Sequence, residues 1–425
     1  MIRRILQTEF LMTDTQDSET NSTPSSTPMS DSTSTSSDST STSIERLREL
    51  IGFNTVSSSS NTAISDCVAE HLQSLRFDVQ RSEYVDAHGV TKTNLIARRG
   101  GDDRAAVGGL AYFCHTDVVP ADTWTGPGGD PFTAVIQDER IYGRGACDMK
   151  GSLVAMLSAI ARVDANTDPN QQSSPLWVVC TADEELGFDG ARHLVANDSQ
   201  YRTLVKHQPV GIIGEPTGLS VVHAHKGITG FRIISRGRAA HSSTRDGINA
   251  TIAMVPMLQT LLELFRRTEN ESRYRDERFD PPTLTWNFGV DGHGTAINVT
   301  PDRCDAWVSF RTMPGISGDD LIEIARQRAD ELDLEFHRYR GGSPVWVDPD
   351  SACVRTMCDL AEQATSETVC YGTDGGEFTE LRQLVVCGPG DIQQAHTTDE
   401  WLAIDQLTRG IELYEKAIRH WCYHH

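Results

Sequence analysis

No stretch of the chain reaches the roughly 18 consecutive apolar residues that a membrane-crossing helix needs, so the sequence offers no transmembrane segment. Excess positive charge is missing too. Lys and Arg number 38 against 60 Asp and Glu, and the formal net charge of −22 repels nucleic acid and anionic lipid surfaces. The ten cysteines contain no CxxC pair and no regular spacing, which leaves neither a disulfide framework nor a thiolate zinc motif. Cys114, Cys180, Cys370 and Cys387 stand in or beside apolar runs, as reduced core-filling thiols of a cytoplasmic protein do. A GxSxG nucleophile elbow is absent, and "GRGACD" breaks the dinucleotide pattern GxGxxG at its last position. The opening "MIRRILQTEFLM" starts basic, but Gln7, Thr8 and Glu9 interrupt its apolar part, which argues against a signal peptide.

What remains is a chain of 425 residues, 38% hydrophobic and 23% charged, long enough for two domains with a sizeable core. Residues 13–43 are mostly Ser and Thr with few large apolar side chains, so residues 1–43 read as a disordered tail. Order is expected from residue 44, where Thr42 and Glu45 fit a capping box and Ile44, Leu47, Leu50 and Ile51 share a helical face. Strand and helix signals then alternate: "NLIAR", "GGLAYFC", a helix from Lys150, "LWVVCT", a helix near Ala191 and "VGIIG". That order predicts a mostly parallel sheet flanked by helices, with ligands at the carboxyl ends of its strands. Residues 223–342 break the pattern with "GITGFRIISRG", a helix over 248–267, "TLTWNFGV", "RCDAWVSFRT", a helix over 319–332 and "LEFHRYR". They read as an inserted α+β domain inside a catalytic domain made of 44–222 and 343–425, which resumes with a helix over 352–364 and the strand "QLVVCG".

Polar groups collect at the ends of the apolar runs: His115 and Asp117 in "YFCHTDVVP", Asp148 in "YGRGACDMKG", Glu184 and Glu185 in "TADEELG", Glu215 in "VGIIGEPTG", and His396 in "GPGDIQQAHTTDE". One sheet edge would gather two imidazoles and several carboxylates. Like charges cannot share a dry cleft unless cations neutralise them. Imidazole and carboxylate without thiolate suit zinc or a similar divalent ion, and five such ligands exceed one open tetrahedral site, so two ions fit better. His115 and Asp117 point the same way on an extended segment, which lets Asp117 hold the imidazole. Glu184 and Glu185 point apart, so that one serves as ligand and the other as base. Cys114 and Cys147, beside His115 and Asp148, read as apolar filler.

From residue 44 to the C-terminus these signatures resemble the co-catalytic zinc amidohydrolases and metallopeptidases, and "IGEPTGLSVVHAHKG", "GRAAHSSTRDGINA" and "GPGDIQQAHTTDEWL" are similar to the acetylornithine deacetylase branch, which serves arginine biosynthesis. The resemblance implies that His115, Asp148, Glu185, Glu215 and His396 hold two zinc ions, or cobalt, with Asp148 bridging, Asp117 behind His115 and Glu184 as general base. It also implies a ferredoxin-like dimerisation and lid domain, whose His241 reaches the active site of the partner subunit in a homodimer and helps stabilise the tetrahedral oxyanion. Asn298 and Arg311 then contact substrate, and Thr373 lines the pocket. The implied reaction is hydrolysis of an N-acyl amino acid, N2-acetyl-L-ornithine in the nearest branch. The alternatives are an N-succinyl-diaminopimelate desuccinylase, which a second cationic group in the pocket would favour, a general aminoacylase or dipeptidase, and a metal-binding dimer without catalysis. "YGTDGGEF", residues 371–378, departs from the T-E-x-P-F pattern of that branch.

Overall fold

Leu110–His115, Leu176–Thr181 and Val210–Pro216 are strands buried at every position. They show no polar alternation because helices cover both faces of their sheet. With Leu384–Gly388 they form its centre, in the order Leu176–Thr181, Leu110–His115, Val210–Pro216, Leu384–Gly388, every neighbour parallel. Antiparallel strands extend both edges, Thr91–Arg99 and Asp78–Val85 on one side, Val222–His225 and Val345–Trp346 on the other. The short Glu367–Val369 runs parallel beside Val222–His225. Helices Gly151–Asn166 and Ile404–Cys422 pack together through apolar stripes that include Leu153, Leu157, Ile411 and Ile418. Tyr112 ties this layer to the sheet: its hydroxyl reaches Ser152 at 2.8 Å, and Ser152 reaches the Tyr414 hydroxyl at 2.9 Å.

This computed structural model describes residues 34–101, 108–294 and 296–423. The opening segment, the Ser/Thr-rich tail as far as residue 33 and the last two histidines lie outside them. Helix Ser34–Ile51 begins upstream of the capping box read at Thr42, so the tail does not run to residue 43. Ser43 is buried and its hydroxyl donates to Ser158 Oγ at 2.9 Å, which makes it part of a packed helical face that local propensity alone does not announce.

Ile228–Arg236, Ala250–Asn270, Asn287–Asp291, Arg303–Phe310, Asp319–Glu331 and Glu335–Gly342 follow the order βαββαβ. Their strands pair antiparallel with Arg303–Phe310 and Ile228–Arg236 in the middle, which is the ferredoxin-like arrangement. Phe231, Ile233, Met254, Leu261, Val308 and Leu321 belong to a hydrophobic cluster separate from that of the large sheet. Two expected elements are shorter than their patterns. The strand read over 283–290 starts only at Asn287, because Thr283 O and Thr285 Oγ1 accept hydrogen bonds from the buried Lys226 ammonium, and Thr285 is left-handed at φ 50°. The helix read over 352–364 stops at Leu360, two residues before Glu362 turns left-handed at φ 56°.

All ten cysteines are free, and eight of them are buried. Among the described residues, no helix is long and apolar enough to cross a membrane.

Candidate metal centre and active site

Because the four central strands are parallel and adjacent, their carboxyl ends form one continuous edge. His115 is the last residue of its strand, Glu184 and Glu185 follow Leu176–Thr181, and Glu215 is the penultimate residue of Val210–Pro216. Asp148 comes from the loop before helix Gly151–Asn166, and His396 from the loop after Leu384–Gly388. The edge opens into a cavity of about 470 Å³ whose lining includes Asp148, Glu184, Glu185, Glu215, Arg311 and His396.

The two oxygens of Asp148 face different imidazoles. Oδ1 lies 2.9 Å from His115 Nε2 and Oδ2 lies 3.4 Å from His396 Nε2. Each imidazole also meets its own glutamate: Glu215 Oε1 is 3.7 Å from His115 Nε2, and Glu185 Oε2 is 3.0 Å from His396 Nε2. His115, Glu184 and Glu215 offer ligand atoms within 4.8 Å of one another, and so do His115, Asp148 and Glu185. These two groups share His115, while Asp148 faces both imidazoles with separate oxygens, an arrangement that fits two neighbouring cations with a bridging carboxylate.

The electrostatics make the same demand. Burial pushes the Glu184 carboxyl well above its ordinary range, and Glu215 pushes it further. Burial and Asp148 do the same to Glu215 and, less strongly, to Glu185. Asp148 is the exception: burial would raise it, but hydrogen bonds from His115 and His396 hold its carboxyl low. Bonds to Asp148 and Glu185 lift His396 to about 10. Burial opposes protonation of His115, yet Asp148 and Glu215 hold it well above its usual value. Four acids here draw positive charge wherever it can be found, which is the condition under which a site binds divalent cations.

Other side chains hold this edge in place. His115 Nδ1 donates to the backbone carbonyl of Asp117 at 2.9 Å, which fixes Nε2 as the nitrogen that faces the cluster. The Asp117 carboxylate, expected to hold that imidazole, stands 3.7 Å from Nδ1. It accepts instead from Ser57 Oγ at 2.6 Å and from the backbone N–H groups of Glu184 and Glu185 at 3.2 and 3.3 Å, so its task is to set the two glutamates. Glu400 does likewise for Asp148, accepting from the N–H groups of Gly145, Cys147 and Asp148 while Arg144 Nη1 pairs with it at 2.8 Å. Asp183, the first of the three consecutive acids, turns back into the protein. Its carboxylate takes the Lys92 ammonium at 2.7 Å and the Tyr84 hydroxyl at 2.6 Å. Lys92 and Asp183 are both buried, so Lys92→Met leaves a lone buried charge behind the two glutamates; denaturant unfolding should show a loss of about 3–5 kcal/mol.

The remaining residues named from the sequence separate. Arg311 lines the cavity, half-buried, with no carboxylate in ion-pair range among the described residues. Thr373 does not line it; the side chain is buried, where its hydroxyl meets His225 Nε2 at 3.1 Å and accepts from Gly375 N. His241 and Asn298 are exposed and absent from the lining of this chain's own cavity. The Cys114 and Cys147 thiols point to the carbonyls of Val179 and Asp391, away from the cluster. Sequence reasoning missed Ser57, Lys92 and Glu400. Of these only Glu400, at the end of the polar run that carries His396, left a trace.

A family model described as Peptidase family M20/M25/M40 matches residues 111–420. The chain belongs to this family. Among curated relatives of this M20 protein, acetylornithine deacetylase of Myxococcus xanthus is 35% identical over 388 residues, covering 88% of this chain and 96% of the relative. Acetylornithine deacetylase of Yersinia pestis is 32% identical over 396 residues, covering 89% and 97%. Among solved structures, the dipeptidase Dug1p of Saccharomyces cerevisiae superposes with a TM-score of 0.70 at 17% identity, covering 90% of this chain and 98% of its own. Bacillus subtilis YXEP, described as a dinuclear metal binding peptidase, gives 0.56 at 14%, covering 90% and 99%. At those identities the structural matches speak for the fold alone.

Proposed function

We propose that the chain hydrolyses the amide bond of an N-acyl amino acid at a centre of two divalent ions, and that N2-acetyl-L-ornithine, cleaved to ornithine and acetate, is its substrate. The observation that carries the reading is Asp148, whose two oxygens each address one imidazole while each imidazole has its own glutamate. His115, Asp148 and Glu215 would hold one ion, and His396, Asp148 and Glu185 the other. Imidazole and carboxylate donors without thiolate suit zinc, with cobalt as a substitute. When bound, the ions polarise the substrate carbonyl and acidify water.

Everything else is work for the chain's own side chains. Glu184, whose backbone N–H is fixed by the Asp117 carboxylate at the cavity edge, takes a proton from the attacking water and returns it to the leaving amine. Asp117 keeps Glu184 and Glu185 in register through their backbone N–H groups. Arg311 meets the substrate carboxylate with a planar fork. Arg311→Met should raise KM about tenfold or more with a smaller change in kcat, read in steady-state kinetics.

The relatives named acetylornithine deacetylase support the choice of substrate. A homodimer built on residues 223–342, acting also as a lid, fits the exposed Ile252, Val255, Leu262, Phe288 and Val290 on the ferredoxin-like unit. His241 and Asn298, exposed in their own chain, would then serve the partner's cavity. Ten free thiols suit a cytoplasmic enzyme, and among the described residues no helix is long and apolar enough to cross a membrane.

One observation favours a second reading. Arg340 lines the cavity as Arg311 does, and a second guanidinium suits an acyl group that carries its own carboxylate, as in N-succinyl-diaminopimelate. A panel of N-acetyl-ornithine, N-succinyl-diaminopimelate, N-acetyl-methionine and a dipeptide decides between them. Preference for N-acetyl-ornithine upholds the proposal, preference for the succinyl compound transfers it to the second reading, and activity on none with both ions bound refutes both.

A further inference from the structure

Tyr371 opens the segment "YGTDGGEF" that departs from the branch pattern, and its side chain lines the cavity together with Asp148, Glu184, Glu215 and His396. Its hydroxyl oxygen is buried and has no hydrogen-bond partner among the described residues. A buried phenol left unpaired costs about 1–3 kcal/mol, and native proteins retain such groups where something else completes the bond. The backbone on either side of Tyr371 is tied down. On one side Lys226 N–H donates to Val369 O in the strand Glu367–Val369; on the other Thr373 caps the turn Asp374–Gly376 by accepting from Gly375 N. Between Tyr371 and Thr373, an added Cβ on Gly372 would stand 3.2 Å from Lys226 O, so the chain is held close against the residue that follows the strand Val222–His225.

We propose that the Tyr371 hydroxyl donates a hydrogen bond to the carbonyl oxygen of the scissile amide and keeps it as that oxygen becomes an oxyanion, acting from the same chain as the metal ligands. The proposal rests on the amidase reading above. In the step, the water oxygen forms a bond to the carbonyl carbon and the carbonyl π pair moves to oxygen, where Tyr371 O–H meets it without giving up its proton. Glu184 takes the water proton and delivers it to the amine nitrogen as the C–N bond breaks and the carbonyl re-forms. Burial, reinforced by the Glu215 and Asp148 carboxylates, raises the phenol far above its ordinary value, so Tyr371 stays a donor and does not compete with Glu184 as a base. A donor aimed at charge that develops only during reaction acts on kcat more than on substrate binding.

The test is Tyr371→Phe in the metal-loaded full chain, with kcat and KM on the best substrate of the panel, thermal stability, and affinity for the matching phosphonate, a tetrahedral mimic, against affinity for the product amine. Expected are a fall in kcat of about 10²–10³-fold, an almost unchanged KM, a phosphonate affinity that falls in step with kcat, an unchanged product affinity, and a melting temperature equal to or above that of the wild type. Wild-type kcat in the variant overturns the proposal and leaves the amidase reading standing. Equal losses of phosphonate and product affinity, or a lower melting temperature with a proportionate loss of both, assign Tyr371 to packing and also overturn it. A wild-type chain that cleaves no amide in the panel overturns the reading and the proposal together.

Discussion

Glu184→Gln should lower kcat by about 10³-fold while both ions stay bound. The substitution keeps the size of the side chain and removes only its ability to take a proton. Glu184 lies within ligand range of His115 and Glu215, so the rival role for it is metal binding, and the two roles make different predictions. A base lost from an intact centre leaves the metal content unchanged and the amide uncleaved. A ligand lost lowers metal content along with activity. Elemental analysis beside steady-state rates separates them, and Glu185→Gln, which removes the partner of His396 Nε2, should show the opposite pattern: metal loss first, activity loss in consequence.

Removing the ions should abolish activity and also reverse the pH dependence of stability. Glu184, Glu185 and Glu215 have folded pKa values raised above the ordinary 4.5, so their contribution is fully present below that value and is lost as pH climbs above it. His396, lifted from 6.5 to about 10, contributes fully below 6.5 and loses that contribution as pH approaches 10; His115, also raised, acts in the same direction. Asp148, held low, acts the other way: its contribution is present above the ordinary 3.8 and fades only as pH falls below it. Chelated protein should therefore melt highest near pH 5 and progressively lower toward pH 8. Metal-loaded protein should show the opposite slope over that window, because the ions require deprotonated carboxylates. At about a thousand times its dissociation constant each ion contributes about 4 kcal/mol, enough to separate the two melting curves clearly at pH 8. Melting temperatures that fall together in both forms would contradict this account of the cluster.

Much of the site could be read along the chain because it lies where apolar runs stop. His115, Glu184, Glu185 and Glu215 each follow or close a buried strand, and a parallel sheet carries such ends to one edge. The inserted unit was legible for a similar reason: its helices and alternating strands keep their own periods. What stayed hidden acts across long distances in sequence. Glu400 pairs with Arg144, and Lys92 with Asp183, and no local pattern marks either member of a buried pair. Asp117 lies behind His115, its carboxylate 3.7 Å from Nδ1, but residue spacing does not show that a backbone carbonyl takes that Nδ1 or that the carboxylate also holds the N–H groups of Glu184 and Glu185. Thr373 failed as a pocket residue because the turn Asp374–Gly376 needs its hydroxyl inside. Arg340 sits where the pairing of Glu335–Gly342 with Ile228–Arg236 shifts register, between Tyr339 and Gly342, a break that alternation in the sequence does not reveal.

The most direct test of the central claim is anomalous diffraction from crystals of the zinc-loaded chain, collected on both sides of the zinc edge. Two peaks about 3.5–4 Å apart are predicted, one between His115 and Glu215, the other between His396 and Glu185, with Asp148 reaching both. A single peak, or two that do not share Asp148, would contradict it.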